Sequence, residues 1–161
     1  MNNVLGGRPE TPWHLWVVGI VSLLWNSGGA NDYVQVKLRS ESYLQQGADM
    51  TGNSVEQISA YYDAFPIWAD AAWAFGVWGA VAGSLLLLLR SKFALHAFGL
   101  SLLGLIVSTI YGLTAPMPPV TDPELAASAQ TFQLIFSAVI WIVTLLLIFY
   151  SSRMQRAGVL R

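Results

Sequence analysis

Apolar residues gather into four long runs separated by three polar breaks of unequal length. The runs extend from about Pro12 to Val36, Pro66 to Leu89, Phe93 to Thr114 and Phe132 to Tyr150. A helix of about 20 mostly apolar residues crosses a hydrocarbon core about 30 Å thick. Backbone polar groups in lipid must be satisfied within the chain, which favours helices, and no alternation of period two suggests a barrel. The pattern therefore predicts one all-α domain, 1–161, built as an integral membrane antiparallel four-helix bundle.

The breaks refine this. The first, from Lys37 to Asp63, is long enough to hold a short interfacial helix. Ser54 and Gln57 have the spacing of a capping box, and Val55, Ile58 and Tyr62 give a weak apolar face. Pro66 then stands where the second run begins, in a first turn where its missing N–H is harmless. The second break, Arg90-Ser-Lys92, is so short that its two helices must pack antiparallel. The third, Ala115 to Pro123, is rich in proline, and Asp122-Pro123 reads as N-cap and first helical residue, so the fourth helix should begin before the membrane does.

Charge orients the runs. With the N-terminus in the cytoplasm, Arg8, Arg90, Lys92, Arg153, Arg156 and Arg161 are cytoplasmic, and only Lys37 and Arg39 fall outside. This is the bias of the positive-inside rule, and it predicts both termini cytoplasmic in a bacterial inner membrane. Trp13, Trp16 and Tyr150 would sit at one headgroup level, and Tyr61, Tyr62, Trp68 and Tyr111 at the other.

Composition agrees and excludes much. The chain is 55% hydrophobic and 11% charged, against about a quarter charged for a soluble domain. Its net charge of −1 and scattered basic residues give no nucleic-acid surface. It has no cysteine, so disulfides, thiolate metal sites and a Cys nucleophile are excluded. No phosphate-binding loop, dinucleotide fingerprint, HExxH or nucleophile elbow is present. A non-enzymatic protein without a cofactor is expected. The N-terminal run is too long and too rich in Trp for a cleaved signal, and reads as a retained membrane helix.

Small residues mark the packing faces. Ala72, Gly76, Gly79 and Gly83 form one stripe, Ser101, Gly104, Ser108 and Gly112 another, and the two are expected to meet.

Three sets of residues carry candidate chemistry. At the end of the first run, Asn26, Asn31, Asp32 and Tyr33 follow or flank Gly28-Gly29, which weakens the helix; interrupted helices line transporter sites, although the helix could simply end there. Asp70 lies in the apolar stretch Ile67–Trp73 at the same level as Asp32. The two carboxylates could share a proton, bind a cation or pair with Lys37 or Arg39; equally, they could be interfacial groups reaching water. His14 and His96, on different helices, could in principle ligate haem, but both fall at helix ends with no third ligand, and interfacial histidines are the simpler reading.

Several of these patterns occur together: Trp25-Asn26 before Asp32-Tyr33, Tyr43-Leu44, Phe65-Pro66-x-Trp68, Trp73-Ala74-x-Gly76-Val77-Trp78-Gly79, Gly83-Ser84 ahead of the leucine run to Arg90, then Ser101-Leu102 and Tyr111. In them the chain resembles a family of small four-helix inner-membrane proteins of proteobacteria that carry the generic label sugar transporter or none. The resemblance implies four spans and a transport connection without naming site residues. Three functions are thus open: a small-solute or ion/proton-coupled carrier, favoured narrowly and requiring a homo-oligomer; an accessory or assembly subunit of a larger membrane complex; and a haem protein.

Overall fold

A computed structural model describes residues 10–115 and 123–161. Among them are six helices: α1 (Trp13–Lys37), α2 (Glu41–Thr51), α3 (Val55–Asp63), α4 (Ile67–Leu88), α5 (Phe93–Thr114) and α6 (Pro123–Arg156). No strand occurs among the described residues, so the all-α expectation is met. α4, α5 and α6 are each long and apolar enough to cross a membrane. α1 has 25 residues but carries Asn26, Asn31, Asp32 and Lys37 among its apolar ones, and it is not among those three.

α1 runs unbroken through Gly28 and Gly29, so the helix neither ends nor is interrupted there. A glycine pair lowers helix propensity by about 1 kcal/mol per residue, which the flanking turns absorb once α1 packs on α4. The first break holds two helices instead of one. α3 starts with the expected capping box: Gln57 N–H donates to Ser54 Oγ over 3.2 Å, and Ser54 N–H to Gln57 Oε1 over 2.8 Å. Pro66 takes the N-cap position of α4, one residue before the helix. α6 begins at Pro123, well before the last apolar run; the predicted cap Asp122 lies outside the described residues, as does Arg8.

Three helices end in the same six-residue cap, in which one residue turns left-handed and two amides return to carbonyls of the last turn. Gly158 (φ 72°) plays this part after α6, with Gly158 N bonded to Gln155 O and Val159 N to Met154 O. After α1 and α4 the position is filled by Arg39 (φ 52°) and Arg90 (φ 58°), which lack glycine's freedom there.

The long helices pack in the order α1–α4–α5–α6. The glycine stripes meet in the α4–α5 seam. A side chain on Gly104 would strike Gly76 N and Ala72 O, one on Gly79 would meet Ser101 N at 3.0 Å, and one on Gly83 the Phe98 ring at 2.6 Å. The pairs advance in opposite senses along the two helices, as an antiparallel hairpin requires. Ser101 Oγ donates to Gly76 O across the seam over 2.6 Å. Among the described residues, Ser108 Oγ is buried without a hydrogen-bond partner, and nothing lies within 4 Å of a Cβ placed on Gly112.

The main apolar core lies at the end where the chain finishes. It unites Leu15, Leu87, Ala94, Phe98, Leu147, Val159 and Leu160. The tail turns back from Gly158, buries Val159 and Leu160, and joins the α4–α5 turn: Arg161 N–H donates to Arg90 O (2.8 Å) and Lys92 N–H to Arg161 O (2.7 Å). A smaller core of Leu44, Ala48 and Ile58 holds α2 to α3 at the opposite end.

Candidate functional site

The candidate residues of α1 share one seam with α4. Gly19 abuts Leu88; Asn26 Nδ2 donates to Ser84 Oγ (2.9 Å) and Ala80 O (3.2 Å); the Tyr33 ring meets Trp73 edge-on at 4.8 Å; and Lys37 Nζ lies 2.5 Å from Asp70 Oδ1. Gly19, Asn26 and Tyr33 stand seven residues apart, so they recur on one helix face and meet α4 at descending residue numbers. This is an antiparallel zipper with a polar contact in the middle and an ion pair at one end. Ser84 is fully buried and itself donates to Ala80 O over 3.0 Å, so the polar groups at the centre satisfy one another.

Asp32 and Asp70 each have a separate partner. Asp70 pairs with Lys37, one of the alternatives the sequence left open. Asp32 Oδ1 accepts a 2.6 Å hydrogen bond from Tyr43 Oη of α2. No hydrogen bond or ion pair joins the two carboxylates among the described residues. Burial, then the hydrogen bond to Asp32 and its charge, push the Tyr43 phenol above its ordinary value. Burial first, with Asp32 charge second, does the same to Tyr62. Both phenols are therefore held neutral, and Tyr43 acts as a donor to Asp32. A second ion pair, Arg39 Nη2–Asp63 Oδ1 (2.6 Å), ties the cap of α1 to the end of α3.

Around the ion pair lies a cluster of rings. Tyr62 stacks on Trp73 at 5.3 Å with planes 15° apart, Phe65 and Trp68 both contact Tyr111 edge-on, and Lys37 Nζ stands 5.8 Å from the Tyr33 ring centre. These rings lock α3 over α4 and α5. Asn31 is exposed and forms no hydrogen bond among the described residues. The layer thus brings together Asp32, Tyr33 and Asp70, leaves Asn31 aside, and uses Asn26 deeper in the seam. Sequence reading missed Tyr43 as the partner of Asp32, because local pattern does not say where α2 folds relative to α1.

The histidines are apart from this layer. His14 Nδ1 is 2.6 Å from Tyr150 Oη, tying the start of α1 to α6, whereas His96 is exposed beside Phe93. No group of three His, Cys, Asp or Glu residues able to hold a metal occurs among the described residues.

Beyond the His14–Tyr150 contact, α1 and α6 part. A cavity of about 480 Å³ separates them, lined by Val17, Val21 and Trp25 on one side and Leu146, Phe149 and Tyr150 on the other. It is almost wholly apolar. The helices touch again where Trp25 meets Phe136, with ring centres 6.2 Å apart.

No family model, no curated protein and no solved structure matches the chain.

Proposed function

We propose that the chain crosses a bacterial inner membrane four times, with both termini cytoplasmic, as a non-catalytic subunit of a larger membrane assembly formed with itself or with partners. A fourth crossing by α1 is supported by the way its polar residues are spent: Asn26 and Lys37 find partners on α4, so neither confronts lipid alone. Cytoplasmic termini are supported by the gathering of Arg90, Lys92 and Arg161 at one end through the tail contact.

The assembly role rests on one observation. α6 is covered over little of its apolar length by the other described residues, which leaves Phe132, Leu134, Ile135 and Val139 free for a helix of another chain to pack against by close fit. Of the polar residues that would have marked a solute path, Asn26, Asp32, Tyr33 and Asp70 are instead engaged within the chain, and Asn31 stands exposed without a hydrogen bond among the described residues. Native mass spectrometry in mild detergent tests the proposal: a self-associated species or a stoichiometric partner is expected, and a bare monomer from native membranes overturns it.

The Lys37–Asp70 pair favours a second reading, a carrier in which a substrate cation or proton competes with Lys37 for the Asp70 carboxylate. The resemblance in sequence to proteins labelled sugar transporter points the same way. Liposome flux that is lost in Asp70→Asn and retained in Asp32→Asn would support it; flux unchanged in both would remove these carboxylates from the mechanism.

A further inference from the structure

We infer that the cleft between α1 and α6 is a binding site for one anionic phospholipid, taken from the leaflet on the side of the chain termini. The inference rests on the reading that α1 lies in the membrane beside α6.

The cleft has two closed ends. His14–Tyr150 closes it near the start of α1, and Trp25–Phe136 closes it deeper. His14 and Trp25 are separated along α1 by about 16 Å at a rise of 1.5 Å per residue. A hydrocarbon core of about 30 Å gives a single leaflet about half that depth, so the cleft runs from one headgroup level to the midplane. An acyl chain spans the same interval. The walls suit it: Val17, Val21, Leu146 and Phe149 are apolar and open to the surrounding lipid.

The end at the headgroup level is cationic. Arg153 follows Phe149 by four residues and Tyr150 by three, so it emerges on the helix face that carries those two wall residues. Its guanidinium stands 5.9 Å from the Phe149 ring centre, directly past the apolar wall. Guanidinium groups bind phosphate through paired, charge-assisted hydrogen bonds. The exposed indole of Trp13, next to His14, belongs at the same depth. An apolar slot one leaflet deep with an arginine at its mouth is complementary to an amphiphile that has a long chain and an anionic head. It does not suit a polar solute, because the lining hydroxyls, Ser22 and Tyr150, are already bonded to Gly19 O and His14.

The experiment uses the full chain purified in mild detergent and titrated with phosphatidylglycerol or phosphatidylcholine, with bound lipid counted by native mass spectrometry. One phosphatidylglycerol per chain is expected, held at least about fivefold more tightly than phosphatidylcholine. Arg153→Gln should weaken it about tenfold, the loss of one hydrogen bond to a charged group. Val21→Trp, which fills the slot, should abolish it. Lys92→Gln, an equal change of charge in the α4–α5 turn, should leave it intact. Equal binding of the two lipids, or equal weakening by Lys92→Gln and Arg153→Gln, would mean annular lipid only and overturn the site. Circular dichroism separates a misfolded Val21→Trp chain from an occupied slot, and Arg153→Gln decides the matter independently. A chain that stays in the aqueous phase without detergent refutes the membrane reading itself, whereas a detergent-dependent chain without selective lipid refutes only the site.

Discussion

The two seams that α4–α5 and α1–α6 form could hardly differ more. In the first, glycines let two backbones touch: Gly104 lies against Gly76 and Ala72, and Ser101 Oγ donates to Gly76 O. In the second, the helices meet at His14–Tyr150 and again at Trp25–Phe136, and leave about 480 Å³ between these two contacts. Both lie among apolar residues, so hydrophobicity does not account for the contrast. In lipid, burying apolar surface gives helices little reason to associate, and close fit and interhelical hydrogen bonds decide which pairs hold. The α4–α5 seam has both, whereas α1–α6 has bulky valines, leucines and rings facing one another and a hydrogen bond only at its rim.

The largest expected effect separates the seams directly. Gly104→Leu drives a side chain into the backbone of α4 and should cost about 3 kcal/mol or more. Leu146→Ala in the open seam should cost under about 0.5 kcal/mol, as a partly exposed site away from tight packing. Unfolding in mixed micelles measures both, and comparable losses would erase the distinction between a fitted seam and an open one.

The α1–α4 seam is intermediate, and Asn26→Ala sharpens its place. It removes the hydrogen bonds to Ser84 and Ala80 while Ser84 keeps its own bond to Ala80 O, so a loss of about 1 kcal/mol is expected by the same measurement. A stability equal to the parent's would show that the polar contact does not hold α1 in place.

The smallest effect should have the opposite sign. A Cβ at Gly28 meets nothing within 4 Å, and the residue is helical. Gly28→Ala should therefore stabilise the chain by about 0.5 kcal/mol, the entropic gain of alanine in a helix interior. A clear destabilisation would indicate that α1 bends at this point and would restore an interrupted helix.

Much of the architecture was legible because membrane spans announce themselves by length and the small-residue stripes by spacing. The boundaries of α4 and α5, the α4–α5 contact and the Ser54 capping box all follow from local pattern. The polar layer was harder. Asp32 and Asp70 stood out as ionisable groups beside apolar runs, but their partners, Tyr43 and Lys37, depend on where α2 folds and which face α1 turns toward α4. Glycine propensity weighed too heavily at Gly28-Gly29, because the packing that sustains the helix involves residues more than fifty positions away, such as Ser84. The tail was missed for a similar reason: Val159 and Leu160 look like an ordinary short end until the turn at Gly158 carries them into the core.

The polar row on α1 also has a bearing on biogenesis. α1 leaves the ribosome ahead of α4, with Asn26 and Lys37 still seeking partners that have not been synthesised. α4 and α5, joined by a few residues and matched along their length, can enter the bilayer as a ready-made pair. On the proposed fourth crossing, α1 must then be held at the insertion machinery or the membrane surface until α4 arrives, and its commitment to the bilayer is made by a helix translated after it.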